Sequence, residues 1–222
     1  MLLYSKSTIV VLQQQKSIRG EKMSSKQKPD AMLDRIGPNS KGFTLVEIIV
    51  ILAVISILVA ILTPTVLKYI DEARGDRAGE DVKSISAMIN DLIKDTGKYP
   101  GNKLESGNTF LCSTGNVGLS GQTWGTTANC EDLANHLVVN NPGDTASTGD
   151  NYPSTGKFRW KGPYITNLSE DPWGNGYQIN ASTLVGGNTS VTWVISAGPD
   201  GTFQTSVTST SLSGDDLGVR IK

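Results

Sequence analysis

Three acidic residues near the carboxyl end have the types and spacing that could bind a cation. Asp200, Asp215 and Asp216 lie in a stretch that also contains Gly198 and Gly201. Carboxylates and backbone carbonyls in flexible loops are the oxygen ligands that calcium prefers. Aspartates also form ordinary turns, and the spacing alone favours turns over a metal site. The residues by themselves therefore leave both interpretations open.

A fourth carboxylate, Glu47, lies at the start of an apolar segment. Residues 48–67 contain no charged side chain, and this run of about 20 residues is long enough to cross a bilayer as a helix. A carboxylate at membrane depth costs about 2.5–3.5 kcal/mol, so Glu47 is expected to have a cationic partner. An ordinary signal anchor is the alternative, but a secretory signal has a shorter apolar core with its cleavage site after that core.

The remaining reactive residues point away from an enzyme. The chain has one histidine, His136, and contains neither a G-x-S-x-G motif nor zinc-ligand spacing. We therefore predict no catalytic residues and expect His136 to be a surface or structural residue. Cys112 and Cys130 are predicted to form a disulfide in an oxidising compartment, with two free buried thiols as the alternative.

The charge distribution differs between the two ends of the chain. Residues 1–42 hold 8 Lys+Arg and 3 Asp+Glu, whereas residues 43–222 hold 12 and 18. A basic flank before a membrane span favours a cytoplasmic amino terminus, which places the rest of the chain on the other side of the membrane. Nucleic acid is not predicted as a partner, because phosphate binding requires clustered Lys and Arg.

The elements that position these residues follow from the apolar spacing. One helix is predicted over residues 43–96, because apolar residues continue at steps of three and four until Gly97. Further predictions are a short helix over 130–139 capped by Asn129, a loop over 140–156, and strands over 177–181 and 191–196. The predicted divisions are a disordered segment at 1–42, a transmembrane helix at 43–67, the continuation of that helix at 68–97 and a globular domain at 98–222.

The segment around Glu47 resembles a known processing signal. Type IV pilins and the pseudopilins of type II secretion share the pattern Lys41-Gly42-Phe43-Thr44-Leu45-Val46-Glu47 before an apolar helix. The resemblance implies that a prepilin peptidase cuts after Gly42 and methylates Phe43, and that Glu47 faces the terminal amine of a neighbouring subunit. It also implies that residues 1–42 are a cleaved leader, that 43–67 form the filament-core part of the helix and that 68–97 form its periplasmic half. Pro64 matches the helix-kinking proline of that family. Met32 would begin a leader of ordinary length, so the first 31 residues are hypothesised to be a dispensable extension or a mis-assigned start.

The carboxyl-terminal third resembles the major pseudopilin of type II secretion. The motifs that carry this resemblance are Trp160-Lys161-Gly162-Pro163-Tyr164, Asp171-Pro172-Trp173-Gly174-Asn175, Ala197-Gly198-Pro199-Asp200-Gly201 and the pair Asp215-Asp216. It implies one calcium ion, held by the side chains of Asp200, Asp215 and Asp216 and the carbonyl of Ala197. Asp171 is expected to form a turn. The Ser/Thr-rich loop 201–214 is expected to lack an apolar anchor, and Gly176 departs from the proline usual in the family.

The family resemblance also implies a fold and a function. The expected fold is α+β and type IV pilin-like, with a long amino-terminal helix, its first half transmembrane, packed on a small antiparallel sheet that carries a calcium-type loop. The expected function is a structural subunit of a periplasmic pseudopilus that drives protein export. Expected partners are further copies in a helical homopolymer, minor pseudopilins, the prepilin peptidase/methyltransferase and the inner-membrane assembly platform. A type IV pilin of a surface fibre, used for adhesion, motility or DNA uptake, is the alternative.

Overall fold

A computed structural model of the chain describes residues 42–144 and 151–222. The leader predicted at 1–42 lies outside the described residues except for Gly42, and so does part of the loop predicted at 140–156. The chain divides into two units between Ser56 and Ile57.

Helix α1 extends over Leu45–Thr96. Thr44 caps its start, since Thr44 Oγ1 accepts a hydrogen bond from the Glu47 N–H at 3.2 Å. The helix ends where Gly97 adopts a φ of 64° and donates its N–H to the carbonyl of Ile93 at 2.8 Å. The predicted helix over 43–96 is therefore confirmed, with its start two residues later.

Two of the three hydroxyl side chains of the apolar run form hydrogen bonds within α1 itself. The Ser56 hydroxyl donates to the carbonyl of Leu52, and the Thr63 hydroxyl donates to the carbonyl of Val59, each at 2.7 Å. Such bonds one turn back satisfy hydroxyl groups where no water is available. The predicted transmembrane half of the helix thus accommodates the Ser56 and Thr63 hydroxyls without an outside partner.

A five-stranded sheet packs on the second half of α1. Its strands are β1 Phe110–Cys112, β3 Cys130–Asp132, β4 Gln178–Asn180, β5 Trp193–Ser196 and β7 Leu217–Arg220. They are arranged in the order β3-β1-β4-β5-β7. A second, two-stranded sheet pairs β2 (Ser120–Gly121) with β6 (Thr202–Phe203) in parallel. The strands β4 and β5 confirm the predicted ones with shorter bounds.

The main sheet is mixed and not wholly antiparallel, which corrects the predicted sheet. β1 and β3 run parallel, with Leu111 opposite Glu131, while the other pairs are antiparallel. Parallel neighbours need a crossover connection of a dozen or more residues. Residues 113–129 supply that connection, and they include β2.

Both faces of the main sheet are buried. Leu111, Ile179 and Val194 join the core formed with the inner face of α1, whose buried members are Val82, Ile85, Ile89 and Leu92. Neighbouring strand residues point the other way, into a second core that contains Phe110, Trp193, Ile195, Trp124 and Phe203. The alternation of strand side chains explains why single strands contribute to both cores.

The helix predicted over 130–139 is shorter than expected and follows a strand. Residues 130–132 form β3, and only Ala134–Leu137 form helix α2. Asn129 does not cap it, because its Oδ1 accepts the Thr126 N–H at 2.6 Å. Asp132 Oδ1 instead accepts the Ala134 N–H at 2.9 Å. Pairing with β1 therefore overrides the local helical pattern.

Candidate functional site

The predicted processing residues lie at the exposed start of α1. Gly42, Phe43 and Glu47 are all exposed, and a Cβ added to Gly42 would meet no atom within 4 Å. The peptide bond after Gly42 is therefore open to another protein. In the part of the chain that the structure describes, no cation contacts the Glu47 carboxylate, and Lys41 lies outside that part.

The apolar run that follows has no covered face. Every side chain over residues 48–67 is exposed, and α1 is the one described helix long and apolar enough to cross a membrane. A continuous apolar surface of this kind marks a membrane or protein contact. The segment therefore requires lipid or other helices around it.

Asp200 and Asp215, two of the predicted calcium ligands, meet in the loop after β5. Asp215 Oδ2 accepts a hydrogen bond from the Asp200 N–H at 3.3 Å. Gly198, with a φ of 67°, permits this approach, because a Cβ there would collide with the Asp215 carbonyl. Ala197, the predicted carbonyl ligand, is buried directly before this glycine.

Asp216 is the buried member of the predicted ligand set. Its Oδ2 accepts the N–H groups of Gln204 and Thr205 at 3.0 and 2.6 Å, while its Oδ1 is buried without a hydrogen-bond partner. Burial raises the pKa of Asp216, and the hydrogen bonds from Thr205 and Gln204 only partly offset this effect. A buried carboxylate oxygen without a partner is unfavourable and needs an explanation.

Gln204 belongs to the same site, although the sequence did not indicate it. Its Nε2 donates to Asp200 Oδ2 at 2.7 Å, and its Oε1 is buried without a partner. No group of three or more His, Cys, Asp or Glu side chains within 42–144 and 151–222 forms a metal cluster. The side chains of the loop nevertheless offer oxygen atoms as metal ligands. Two of these oxygens, Asp216 Oδ1 and Gln204 Oε1, are buried without a hydrogen-bond partner, so the residues fit a hard cation such as calcium.

The loop over 201–214 is anchored by apolar and aromatic side chains, contrary to the prediction. Phe203 is buried, the Trp124 Nε1–H donates to the Thr205 carbonyl at 2.8 Å, and the Trp193 Nε1–H donates to the Ser209 carbonyl at 2.9 Å. Aromatic residues preceding this loop in sequence therefore hold it in place. The ordered conformation of this loop does not by itself require a metal ion.

Asp171 forms the predicted turn and also contacts the strand that leads to the acidic loop. Its Oδ1 accepts the N–H groups of Trp173 and Asn175 at 3.0 and 2.8 Å. Its Oδ2 accepts the Ser196 hydroxyl at 2.6 Å, and Ser196 Oγ accepts the Gly198 N–H at 3.1 Å. This chain of hydrogen bonds fixes the backbone on either side of Ala197.

The two cysteines are joined. A disulfide links Cys112 of β1 to Cys130 of β3, with the two Cα atoms 5.7 Å apart. Because β1 and β3 are parallel neighbours, the disulfide reinforces their pairing, which the sequence did not indicate. The described residues contain no free cysteine.

A buried polar cluster that the sequence did not reveal surrounds His136. Its Nε2 lies 2.8 Å from Glu131 Oε1, and its Nδ1 lies 2.7 Å from the Tyr152 hydroxyl. Glu131 also accepts the N–H groups of Glu105 and Gly143 at 2.8 and 2.6 Å. All ring nitrogens and carboxylate oxygens are therefore satisfied, which makes His136 a structural residue, in agreement with one of the two expectations.

Comparisons with known proteins match both ends of the chain. Residues 37–63 match the prokaryotic N-terminal methylation motif, and residues 148–213 match the family of protein G of the type II secretion system (T2SS). At these two segments the chain is similar to the type IV pilins and the pseudopilins of type II secretion. No solved structure matches the chain with significance.

Curated relatives of the chain agree with these matches. It is 26% identical over 165 residues to type II secretion system core protein G of Pectobacterium carotovorum subsp. carotovorum, covering 74% of this chain and 80% of that protein. It is 29% identical over 141 residues to the core protein G of Pseudomonas aeruginosa, covering 63% and 72%. A shorter match, 37% identical over 79 residues, is to type IV wide pilus major component PilA4 of Thermus thermophilus, covering 35% and 55%.

Proposed function

We propose that the chain is a structural subunit of a type II secretion pseudopilus, a filament that drives protein export. The observation that carries the proposal is the uncovered apolar surface of residues 48–67, which begins next to Glu47. A bilayer covers such a surface before assembly, and equivalent helices of other copies cover it in the filament. The subunit therefore polymerises with itself as a helical homopolymer.

Processing supplies the partner that Glu47 lacks. A prepilin peptidase cuts after Gly42 and methylates the new amino terminus at Phe43. The resulting amine is a cation at the depth of the Glu47 carboxylate. Pairing between Glu47 of one copy and this amine of a neighbour removes the cost of an isolated carboxylate in an apolar environment. The exposure of Gly42 and Phe43 supports this step.

The proposed location is the inner membrane, with a single span. The amino terminus is cytoplasmic and the globular domain periplasmic, which is consistent with the basic charge of residues 1–42. From there the subunit passes to an inner-membrane assembly platform and joins minor pseudopilins in the filament.

We further propose that the acidic loop binds one calcium ion. Asp200, Asp215 and Asp216 would hold it through their carboxylates and Ala197 through its carbonyl, with Gln204 Oε1 as an added donor. Calcium supplies the positive charge that offsets repulsion between the carboxylates. The unpaired, buried oxygens of Asp216 and Gln204 support this assignment.

Two substitutions in the full chain test the filament proposal. Co-expressed with a prepilin peptidase, Gly42→Leu should accumulate as an uncut precursor. Glu47→Ala should be cut normally yet lower the yield of sheared filaments more than about tenfold, because truncating one partner of a desolvated charge pair is costly. Mass spectrometry of the amino terminus and immunoblotting of sheared filaments give the readouts.

Glu72→Ala is the matched control, since it removes an exposed carboxylate from the same helix. Normal filament yield from Glu47→Ala would contradict the pairing role. Surface fibres in cells whose protein secretion does not change on deletion would favour a type IV pilin, the alternative to which the partial match to the wide pilus component points.

A further inference from the structure

A basic surface lies on a domain that is otherwise acidic. Residues 43–222 contain 12 Lys+Arg and 18 Asp+Glu, yet residues 157–161 include three cations and no acid. Lys157, Phe158 and Arg159, hereafter the basic patch, are all exposed, with 55% of Phe158 accessible. An exposed aromatic ring between two cations is typical of a contact surface.

The basic patch lies next to the carboxyl-terminal end of α1. Next to it, the Lys161 ammonium contacts Asp95 Oδ1 at 2.5 Å, and the Tyr164 hydroxyl donates to Asp95 Oδ2 at 3.2 Å. Phe158 also lies close to Gly97, because a Cβ added to that glycine would be 3.7 Å from the Phe158 ring. The patch therefore lies beside the end of the helix, at the level of Asp95 and Gly97.

Neither cation of the patch forms an ion pair within 4.0 Å among the described residues, although the charge of Arg159 contributes at longer range to lowering the pKa of Asp95. The Lys157 ammonium lies 5.4 Å from the centre of the Phe158 ring, and Arg159 Nη1 donates to the Gly156 carbonyl at 3.0 Å. Both side chains therefore keep their charge available for another molecule.

One acidic residue of α1, Asp76, likewise forms no ion pair in the described structure. Beyond the apolar run, the helix carries seven carboxylates, and in the described structure all but Asp76 lie within 4.0 Å of a cation. The six ion pairs are Glu72–Lys68, Asp71–Arg74, Asp81–Arg77, Glu80–Lys83, Asp91–Lys94 and Asp95–Lys161. Asp76 is exposed, and a Cβ added to its neighbours Gly75 or Gly79 would meet no atom within 4 Å. This part of the helix is therefore open to close approach.

We infer that the basic patch of one copy docks on Asp76 of a second copy. The inference rests on the proposed function, because it requires α1 helices packed in parallel with a stagger. Asp76 and Asp95 are 19 residues apart in α1, which is about 28 Å along the helix. A neighbour displaced by that distance brings its Asp76 level with the patch, and Phe158 then faces Gly75 and Gly79.

The contact fixes the stagger between copies. One exposed ion pair is weak, but the same contact recurs at every subunit of a homopolymer. Complementary charges also exclude other registers, in which like charges would meet. The occupant is thus a second copy of this chain. Outside the patch the domain carries a net negative charge, so two copies would repel each other without this contact.

Charge exchange in the full chain tests the contact. We expect Asp76→Lys, and separately Lys157→Glu with Arg159→Glu, to lower the yield of sheared filaments at least about fivefold, because like charges then face each other. The combination of all three changes should restore a yield within about twofold of the wild type. Lys103→Glu, which reverses a cation outside the patch, is the control and should assemble normally.

Site-specific cross-linking gives a second readout. Two differently tagged copies, one with Asp76→Cys and the other with Arg159→Cys, should form a mixed-tag disulfide dimer in filaments. Glu80→Cys, about one helical turn further along α1, should give much less of it. Absence of the 76–159 dimer in assembled filaments would overturn the inference.

The outcomes separate this inference from the filament proposal. If the wild type itself forms no filaments, both are overturned. Equal assembly of the wild type and every variant would overturn only the docking of the patch on Asp76. If the patch variants lose binding to anionic phospholipid vesicles and the triple exchange restores no assembly, the occupant is a lipid surface, and the copy-to-copy contact is wrong.

Discussion

The apolar run of α1 and the core-facing part of the same helix differ in where their partners come from. Over residues 48–67 every side chain is exposed, whereas Ala78, Val82, Ile85, Ile89 and Leu92 are buried. Both parts are regular helix, so secondary structure does not distinguish them. The first part depends on molecules outside the chain, and the second is stabilised by the chain itself.

Polar groups show the same contrast. Glu47 has no cation among the described residues, and its proposed partner belongs to another copy. Glu131 and Asp171, by comparison, are buried and have several hydrogen bonds within the domain. An unpaired carboxylate in the first region therefore indicates assembly, whereas a satisfied one in the second indicates folding.

The largest effect on folding is expected from Glu131→Ala. The change leaves His136 and the N–H groups of Glu105 and Gly143 without their acceptor. We expect the free energy of unfolding to fall by about 3–5 kcal/mol, as for other broken buried pairs. Chemical denaturation of the full chain in detergent measures it, with Glu170→Ala, an exposed carboxylate, as control. A loss as small as that of the control would contradict the role of the buried Glu131 carboxylate in folding.

The pH dependence of stability should change with the same residue. Burial opposes ionisation of Glu131, but hydrogen bonds from His136, Gly143 and Glu105 outweigh it and lower the pKa of Glu131 below its usual 4.5. A lowered pKa in the folded state gives stability that is present above pH 4.5 and lost as the pH falls through the folded value. Glu131→Gln should therefore show a shallower loss of stability in acid than the wild type.

A matched pair of isoleucines tests the two parts of α1 directly. Ile89 is fully buried and Ile61 is 66% exposed. We expect Ile89→Ala to lower the free energy of unfolding by about 2–5 kcal/mol, because it leaves a cavity. Ile61→Ala should leave unfolding of the globular domain unchanged and weaken filaments instead. If Ile61→Ala destabilised the globular domain and Ile89→Ala weakened only the filaments, the two parts of α1 would not differ as described.

The smallest effect concerns calcium and Asp216. Calcium at about a hundred times its dissociation constant should add about 2.7 kcal/mol of stability, and Asp216→Asn should remove the rise in melting temperature. Because burial raises the pKa of Asp216, its contribution without calcium is present at low pH and lost as the pH rises through the folded value. The calcium effect should therefore grow with pH, while Asp91→Asn should behave as the wild type.

The sequence was most informative where its signals are long or carried by special backbone positions. α1 was predicted to within two residues, because Gly97 ends it and its apolar spacing is regular. β4 and β5 were predicted from their aromatic and β-branched residues. β1 and β3, at three residues each, have no readable period, and their parallel pairing depends on chain folding that local sequence does not encode.

The candidate sites divide in the same way. Motifs indicated Gly42, Phe43 and Glu47, as well as the three aspartates of the acidic loop, without any knowledge of tertiary contacts. Gln204 and the cluster around His136 were missed, because their roles arise from side chains that meet only in the folded domain. The patch cations Lys157 and Arg159 were visible in the sequence, but their lack of partners was not.

The indole contacts of the acidic loop have a practical consequence. Trp124 and Trp193 are two of the four tryptophans in the chain, and both donate to carbonyls within residues 201–214. Indole emission moves to longer wavelength when the ring becomes hydrated. The native protein thus contains its own fluorescent reporter of loop release, and the proposed calcium binding can be tested by emission spectra without a chemical label.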